Sequence, residues 1–437
     1  MANEQMASGA EAERWAALKH PLPDWFNRTK LGYFIHWGPY SVPAWGEPIA
    51  ELGTIPPGEW YTHNPYAEWY YNTIRIPGSP AQQHHQEVYG GAPYDDFLDQ
   101  WKAENFDPEQ LVGLLAEGGA GYLVLTTKHH DGVCLWDAPE TGDRNTVRRG
   151  PKRDLVGAYA QACRNHGVRF GTYYSGGLDW FVRPTDPIGP HESWHFEGLR
   201  PLDAEYASYA ASHLRDLIER YQPDVLWNDI EWPDAGKNFS SDGIGRVFEE
   251  YYAAHPDGVV NDRWNVPHAD YLTSEYQHLL DSESAEAWEN CRGLGLSFGY
   301  NQMEGPEHAL LAPDAMKHLV DVVTRGGHLL LGVGPKADGT LPEWQEQIVR
   351  NIGRWTGPMA ELLAELEPTK VKPDLELGDT WIRFGDWNGR MVAFVDADQP
   401  VPVPAGSQLL SPAWANLVET ELTMDPDRPG PAVIQLP

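Results

Sequence analysis

Short apolar runs alternate with stretches of helical periodicity through most of the chain. A short, mainly apolar run is typical of a strand that is buried on both faces of a sheet. Such runs occur at residues 32–35, 122–125, 168–174, 224–229, 259–261 and 328–333. Strands that alternate with helices over short connections predict a parallel sheet covered by helices.

Helices are predicted where apolar side chains recur every three or four residues. Asp154 has the residue type of an N-cap and Gly167 that of a C-cap, so together they bracket one helix. Tyr206 and Leu217 lie on one face of a longer helix that ends before Pro223. Further helical faces occur near residues 248–252, 316–323 and 344–355.

The alternation extends over most of residues 24–358, which favours a (β/α) barrel of the TIM type over a small doubly wound sheet. Beyond residue 357 the pattern changes, and two apolar runs flank Asn388-Gly389, a pair typical of a two-residue hairpin turn. We therefore predict the α/β class, with a catalytic barrel domain over residues 1–358 and a C-terminal β-sandwich domain over residues 359–437.

The charge balance excludes one class of partner. Lys and Arg total 32 and Asp and Glu total 64, so the formal net charge at pH 7 is −32. A protein that binds phosphate backbones needs a basic face, so neither nucleic acid nor an anionic membrane is expected as a partner. The 19 Trp among 437 residues fit a large core, although flat indole faces also suit sugars.

Cysteine usage and the N-terminus predict a cytoplasmic protein without a cofactor. The three cysteines form no CxxC pair, so neither a zinc ribbon nor a disulfide framework is expected. Residues 1–19 contain three Glu and no apolar run, unlike a signal peptide. The chain also lacks a membrane-spanning apolar run, a P-loop, a GxSxG elbow and a dinucleotide-binding GxGxxG motif.

Five of the predicted strands end in residues that carry chemistry. In a (β/α) barrel, functional side chains lie at the carboxyl ends of the strands. The strand-end residues are His36, His129, His130, Tyr173, Asp229 and Arg263. Because these ends meet at one face of a barrel, the sequence predicts an active site there.

The adjacent pair His129 and His130 allows three interpretations. Neighbouring residues on a strand point to opposite faces, so both could bind one metal ion only if the strand has already ended. No HExxH motif or acidic ligand cluster accompanies them, so no metal is expected. Neutral imidazoles that contact substrate hydroxyls are favoured, and a structural role for either ring is the alternative.

Asp229 is the strongest catalytic candidate. It ends an apolar strand, and Trp227 lies two residues earlier on the same side. A carboxylate beside indoles in a cleft is typical of the nucleophile or base in glycoside cleavage, whereas capping of the next segment is the alternative. Glu231 is a rival two residues later. The partner acid must come from another loop, with Glu68, Asp270, Glu275 and Glu289 as candidates.

An ordered series of motifs then resembles one known family, the family-29 retaining α-L-fucosidases of the glycoside hydrolases. The motifs are FIHWGPYSVPAW at residues 34–45, NPYAEWY at 64–70, TTKHHDG at 126–132, GPKRDLVG at 150–157, YYSGGLDW at 173–180, PDVLWND at 223–229, NDRW at 261–264, SFGYN at 297–301 and VGPK at 333–336. The C-terminal β region carries no comparable motif.

The resemblance implies a distorted (β/α)8-like barrel with a C-terminal β-sandwich. It implies an exo-acting hydrolase that removes terminal α-L-fucosyl residues from fucosylated oligosaccharides or glycoconjugates with retention, without metal or cofactor. Asp229 would be the nucleophile and Glu275 the acid/base, with Glu289 as the alternative acid. The substrate-binding residues would be His36, Trp60, Glu68, Trp69, His129, His130, Tyr173, Trp227, Arg263 and Phe298.

Two departures from the family pattern bear on packing or the site rim and on leaving-group preference. His328 and Gly332 stand where the family usually has Asn, and the loop at residues 277–286 is unusually acidic. A hydrolase of a related sugar such as an α-L-galactoside, or a non-catalytic fucose-binding protein on the same scaffold, are the alternatives. Linkage preference and oligomeric state stay open, a homo-oligomer included.

Overall fold

A computed structural model describes residues 9–56, 58–189, 198–280, 286–371, 373 and 380–437. Its larger part is an eight-stranded parallel sheet that curls into a barrel, in agreement with the predicted α/β class. The strands are β1 (Leu31–Ile35), β2 (Tyr122–Lys128), β3 (Arg169–Ser175), β4 (Val225–Asp229), β5 (Val259–Val260), β6 (Leu272–Glu275), β7 (Trp288–Gly293) and β8 (Gly327–Val333).

The barrel is distorted because its sheet is open between β5 and β6. The strand order is β5-β4-β3-β2-β1-β8-β7-β6, so these two strands form the ends of the sheet. Strand β5 has only two residues, and the chain from Asn261 returns directly to β6. Asp270 bridges the opening, since its backbone N–H donates to the Val260 carbonyl at 3.0 Å.

Helices surround the barrel, and their caps follow the sequence. Asp154 accepts a hydrogen bond from the Gly157 backbone N–H, and Gly167 ends the same helix with φ of 68°. The helices are α1 (Gly9–Ala17), α2 (Asp24–Arg28), α3 (Tyr70–Thr73), α4 (Pro80–Tyr89), α5 (Asp95–Gln100), α6 (Pro108–Glu117), α7 (Leu155–His166), α8 (Ala204–Tyr221), α9 (Ile244–Ala254), α10 (Ala312–Val323) and α11 (Glu343–Ala364).

Strands β6 and β7 are absent from the sequence prediction because they are polar. Strand β7 buries Glu289, Asn290 and Arg292 without an apolar run to mark it. Each of the three has a partner: Asn290 donates to the Ser274 hydroxyl, for example, and Arg292 pairs with Glu51 at 2.7 Å. Paired polar side chains can line a barrel interior at low cost, which apolar patterning alone does not detect.

The C-terminal region forms two antiparallel sheets, with strand orders β13-β16-β11-β10-β9 and β12-β15-β14. The predicted hairpin joins β10 to β11, and both Asn388 and Gly389 have positive φ, as its turn requires. The strands are β9 (Leu366–Pro368), β10 (Trp381–Trp387), β11 (Arg390–Asp396), β12 (Val401–Pro402), β13 (Gln408–Leu409), β14 (Ala415–Val418), β15 (Glu421–Met424) and β16 (Ala432–Gln435).

Helix α11 connects the barrel to these sheets. It continues to Ala364, past the expected boundary at residue 358, so the division into two domains there stays a prediction. Trp355 of this helix is fully buried, and its indole N–H donates to the Pro431 carbonyl at 2.9 Å. The helix therefore fixes the position of the C-terminal sheets against the barrel.

No described helix is both long enough and apolar enough to cross a membrane. Cys134, Cys163 and Cys291 are all free and buried. The cytoplasmic location and the oligomeric state stay predictions.

We expect Trp355→Ala to lower the free energy of unfolding by about 3–5 kcal/mol, because it removes a fully buried indole and leaves a cavity between helix α11 and the C-terminal sheets. Urea denaturation midpoints measure the loss. Trp344→Ala in the same helix is the control, since Trp344 is only partly buried. Equal losses in the two variants would contradict the connecting role of Trp355.

Candidate active site

The carboxyl ends of the barrel strands enclose one cavity of about 720 Å³. All twelve side chains that the sequence singles out line it: His36, Trp60, Glu68, Trp69, His129, His130, Tyr173, Trp227, Asp229, Arg263, Glu275 and Phe298. The barrel brings those at distant strand ends to one face, whereas Trp60, Glu68, Trp69 and Phe298 reach the cavity from connecting segments. Their individual roles stay predictions.

The chain turns sharply after Asp229, the last residue of β4. Ile230 has φ of 57° and Glu231 has φ of 68°, a region that a β-branched side chain rarely adopts. In this turn the Ile230 backbone N–H donates to Asp229 Oδ1 at 3.0 Å. Residue 177 must be glycine, because a Cβ there would lie 1.5 Å from the Ile230 carbonyl oxygen. The turn therefore fixes the direction of the carboxylate.

Two side chains complete the hydrogen bonding of Asp229. Tyr173 donates its hydroxyl to Oδ2 at 2.8 Å, and Arg263 Nη1 donates to Oδ1 at 3.0 Å. The carboxylate is 13% exposed, and Nε2 of His130 lies 3.9 Å from Oδ2. Asp229 is therefore held in one orientation with an edge toward the cavity, as a nucleophile requires.

Glu275 ends β6 on the other side of the same guanidinium. Arg263 Nη2 lies 2.7 Å from Glu275 Oε1, and Arg263 Nε donates to the Thr273 hydroxyl at 2.9 Å. One arginine therefore contacts both carboxylates and brings them close together. Two adjacent carboxyl groups with different contacts are the arrangement that acid/base and nucleophile pairs require.

Strand β2 ends at Lys128, so His129 and His130 both reach the cavity, with ring centroids 4.0 Å apart. Lys128 lies behind them, fully buried in an ion pair with Asp179. Burial keeps the pKa of His36 and of His129 well below the usual value, and it lowers the pKa of His130 to about 4. These imidazoles are therefore neutral near pH 7.

The hydrogen bonds of His130 assign its neutral form. Ser175 donates its hydroxyl to the Leu178 carbonyl at 2.8 Å, so the same oxygen accepts from His130 Nδ1 at 2.7 Å. This leaves Nε2 as an acceptor beside Asp229. The Nδ1 atoms of His36 and His129 are buried without a partner among the described residues. His130 thus offers Nε2 as an acceptor to a ligand hydroxyl.

Glu68 lines another part of the same cavity. Its carboxylate accepts from the Ser297 hydroxyl and from the Gly299 backbone N–H, both at 2.9 Å, while burial raises its pKa. Phe298 lies between these two donors and packs its ring 5.0 Å from that of His36. The site therefore combines carboxylates and imidazoles with apolar ring faces, the mixture that a sugar requires.

The other acids that the sequence offers for the catalytic roles lie outside the cavity lining. Glu231 is bound by Arg200, Lys237 and Asn265, and Asp270 accepts from the Tyr252 hydroxyl. Glu289 is fully buried beneath Trp227. Outside the predicted set, the cavity is also lined by Phe34, Leu52, Gly53, Tyr66, Ile230, His278 and Cys291. Ile230 and His278 could have been found as near neighbours of the two predicted catalytic carboxylates.

Both residues of the first departure lie on β8, His328 near its start and Gly332 near its end. His328 donates its Nδ1–H to the Thr29 carbonyl at 2.6 Å and packs against Phe26, while Gly332 abuts Phe298. Part of the acidic loop, residues 281–285, lies outside the described residues. Among the residues that are described, no group of three or more metal-ligating side chains comes together.

Comparisons with known proteins point to one family. The family model described as alpha-L-fucosidase matches residues 1–361. The human tissue alpha-L-fucosidase is 31% identical over 380 residues, covering 84% of this chain and 74% of the relative.

Two solved structures from Thermotoga maritima are similar over nearly the whole chain. An alpha-L-fucosynthase in complex with alpha-L-Fuc-(1-2)-beta-L-Fuc-N3 superposes with a TM-score of 0.85 at 39% identity, covering 97% of this chain and 98% of its own. An alpha-fucosidase in complex with fucose gives 0.82 at 39% identity, covering 96% and 98%. The chain belongs to the alpha-L-fucosidase family.

Proposed function

We propose that this protein is an exo-acting α-L-fucosidase that releases terminal α-L-fucosyl residues from oligosaccharides or glycoconjugates with retention of configuration. One observation carries the proposal: two carboxylates, Asp229 and Glu275, share Arg263 at the base of a cavity lined with rings and neutral imidazoles. The complex of a similar alpha-fucosidase with fucose supports the same sugar here.

In the first step Asp229 attacks the anomeric carbon of the bound fucoside. The bond from that carbon to the leaving oxygen breaks, and Glu275 gives its proton to this oxygen. The result is a fucosyl ester on Asp229 and a free alcohol. The contacts of Asp229 with Tyr173 and Arg263 orient the carboxylate for this attack.

In the second step Glu275 takes a proton from water, and the water oxygen bonds to the anomeric carbon as the ester bond breaks. Two inversions give net retention, and both carboxyl groups return to their starting states. A retaining pair requires carboxyl groups about 5–5.5 Å apart. Contact of both groups with a single guanidinium supports this close arrangement.

We expect Asp229→Ala to lower kcat for an aryl α-L-fucoside by about 10⁴-fold or more, since it removes the nucleophile. Added azide can enter the space of the lost carboxylate and give β-L-fucosyl azide, the inverted product. Glu231→Gln is the matched control, because this carboxylate lies two residues away on its own cations, outside the cavity lining. Normal turnover by Asp229→Ala would refute the nucleophile assignment.

We expect Glu275→Ala to slow the release of unactivated alcohols by about 10²–10⁴-fold, because the general acid is lost. An activated aryl fucoside still forms the fucosyl ester, and azide then attacks it without a base. The product, identified by NMR, is α-L-fucosyl azide with retained configuration. If azide instead rescues Glu289→Ala and leaves Glu275→Ala inactive, Glu289 is the acid/base.

The choice of sugar depends on the wall formed by Trp60 and Phe298, which are both buried at the cavity. L-Galactose differs from L-fucose by one hydroxyl at carbon 6, and an apolar wall disfavours that hydroxyl by about 10²-fold. In a screen of aryl glycosides, we therefore expect the highest kcat/KM for the α-L-fucoside. A higher value for α-L-galactoside would favour the alternative hydrolase, and fucose binding without turnover would favour a non-catalytic binder.

A further inference from the structure

We propose that Glu289 is a positioning residue that holds the indole of Trp227 in place, and through it the two side chains that orient the nucleophile. The proposal rests on the function given above and adds a residue outside the cavity lining. Glu289 lies on β7 with no exposed surface.

The two carboxylate oxygens of Glu289 have separate partners. Oε1 accepts from the indole N–H of Trp227 at 2.9 Å, and Oε2 accepts from the hydroxyl of Tyr122 on β2. These contacts join three strands across the barrel interior, directly below the cavity. A buried indole N–H without an acceptor is costly, so this bond favours one orientation of the Trp227 ring.

Trp227 in turn supports both side chains that bind Asp229. Its ring lies 5.5 Å from that of Tyr173 at an interplanar angle of 23°, a stacked arrangement. The guanidinium carbon of Arg263 lies 4.6 Å from the ring centroid on the cavity side. Tyr173 and Arg263 each donate a hydrogen bond to Asp229. A tilt of the indole would therefore displace both donors at once.

The burial of Glu289 argues against a role in proton exchange with substrate. Burial raises its pKa to about 7, while the hydrogen bonds from Tyr122 and Trp227 and the charge of Arg263 act in the opposite direction. Both protonation states can accept the indole N–H, so positioning does not require a titrating group. A glutamine at this position should therefore serve as well.

The test compares two replacements of similar size, Glu289→Gln and Glu289→Met, on an aryl α-L-fucoside. Glutamine keeps an acceptor for the indole, so kcat should stay within about 3-fold of wild type with the same pH profile. Methionine keeps the volume and removes the acceptor, so kcat should fall by about 10²-fold with a smaller change in KM. Tyr122→Phe is the matched control, because it removes the other donor and leaves the indole bond.

A double variant shows whether the effect passes through Trp227. We expect Trp227→Phe combined with Glu289→Met to lose no more kcat than Trp227→Phe alone, because Phe has no N–H to hold. Thermal midpoints confirm that each variant is folded. Full kcat in folded Glu289→Met, or additive losses in the double variant, would overturn the proposal.

Two further outcomes separate this proposal from the assignments above. Equal loss in Glu289→Gln and Glu289→Met, with rescue of both by azide, would overturn the positioning role in favour of an acid/base role for Glu289. A wild-type protein that cleaves no aryl α-L-fucoside would instead refute the proposed function itself. If the wild-type protein does cleave it, the comparison of the Glu289 variants alone decides whether Glu289 is a positioning residue.

Discussion

The guanidinium of Arg263 holds together the two carboxylates on which the site depends. Its Nη1 lies 3.0 Å from Asp229 Oδ1 and its Nη2 lies 2.7 Å from Glu275 Oε1, so one planar group sets the spacing of the two. The open barrel makes this contact possible, since Arg263 follows β5 and Glu275 ends β6, the two edge strands. The bond from Arg263 to Thr273 joins those edges, and Trp227 supports the guanidinium from below. One side chain thus connects barrel closure to the geometry of the site.

Hydrophobic patterning predicts those parts of the fold that bury apolar residues. Six barrel strands, the helix over Leu155–His166 with its caps and the hairpin at Asn388 all follow from local signals. Strand β7, with the sequence WENCRG, gives no such signal, because its buried polar groups depend on partners distant in sequence, as Glu289 does on Tyr122. A rule that reads neighbouring residues cannot detect pairing of this kind.

The candidate site is more predictable than the strands that build it. Because a barrel brings every strand end to one face, the residue types at those ends locate the cavity without side-chain geometry. The turn after Asp229 shows the limit of this reasoning. Its positive φ at Ile230 and the glycine required at position 177 depend on the approach of two chain segments, so only the structure reveals how the carboxylate is oriented.

The departures at residues 328 and 332 have different surroundings, and neither contacts the two carboxylates. A Cβ at Gly332 would lie 2.9 Å from the ring of Phe298, so glycine lets this ring lie close to β8. A side chain there, such as the asparagine that the family usually has, would require the ring to shift. His328 instead packs below the barrel strands, against Phe26. Glycine at position 332 therefore allows Phe298, which is expected to meet carbon 6 of the sugar, to pack against β8.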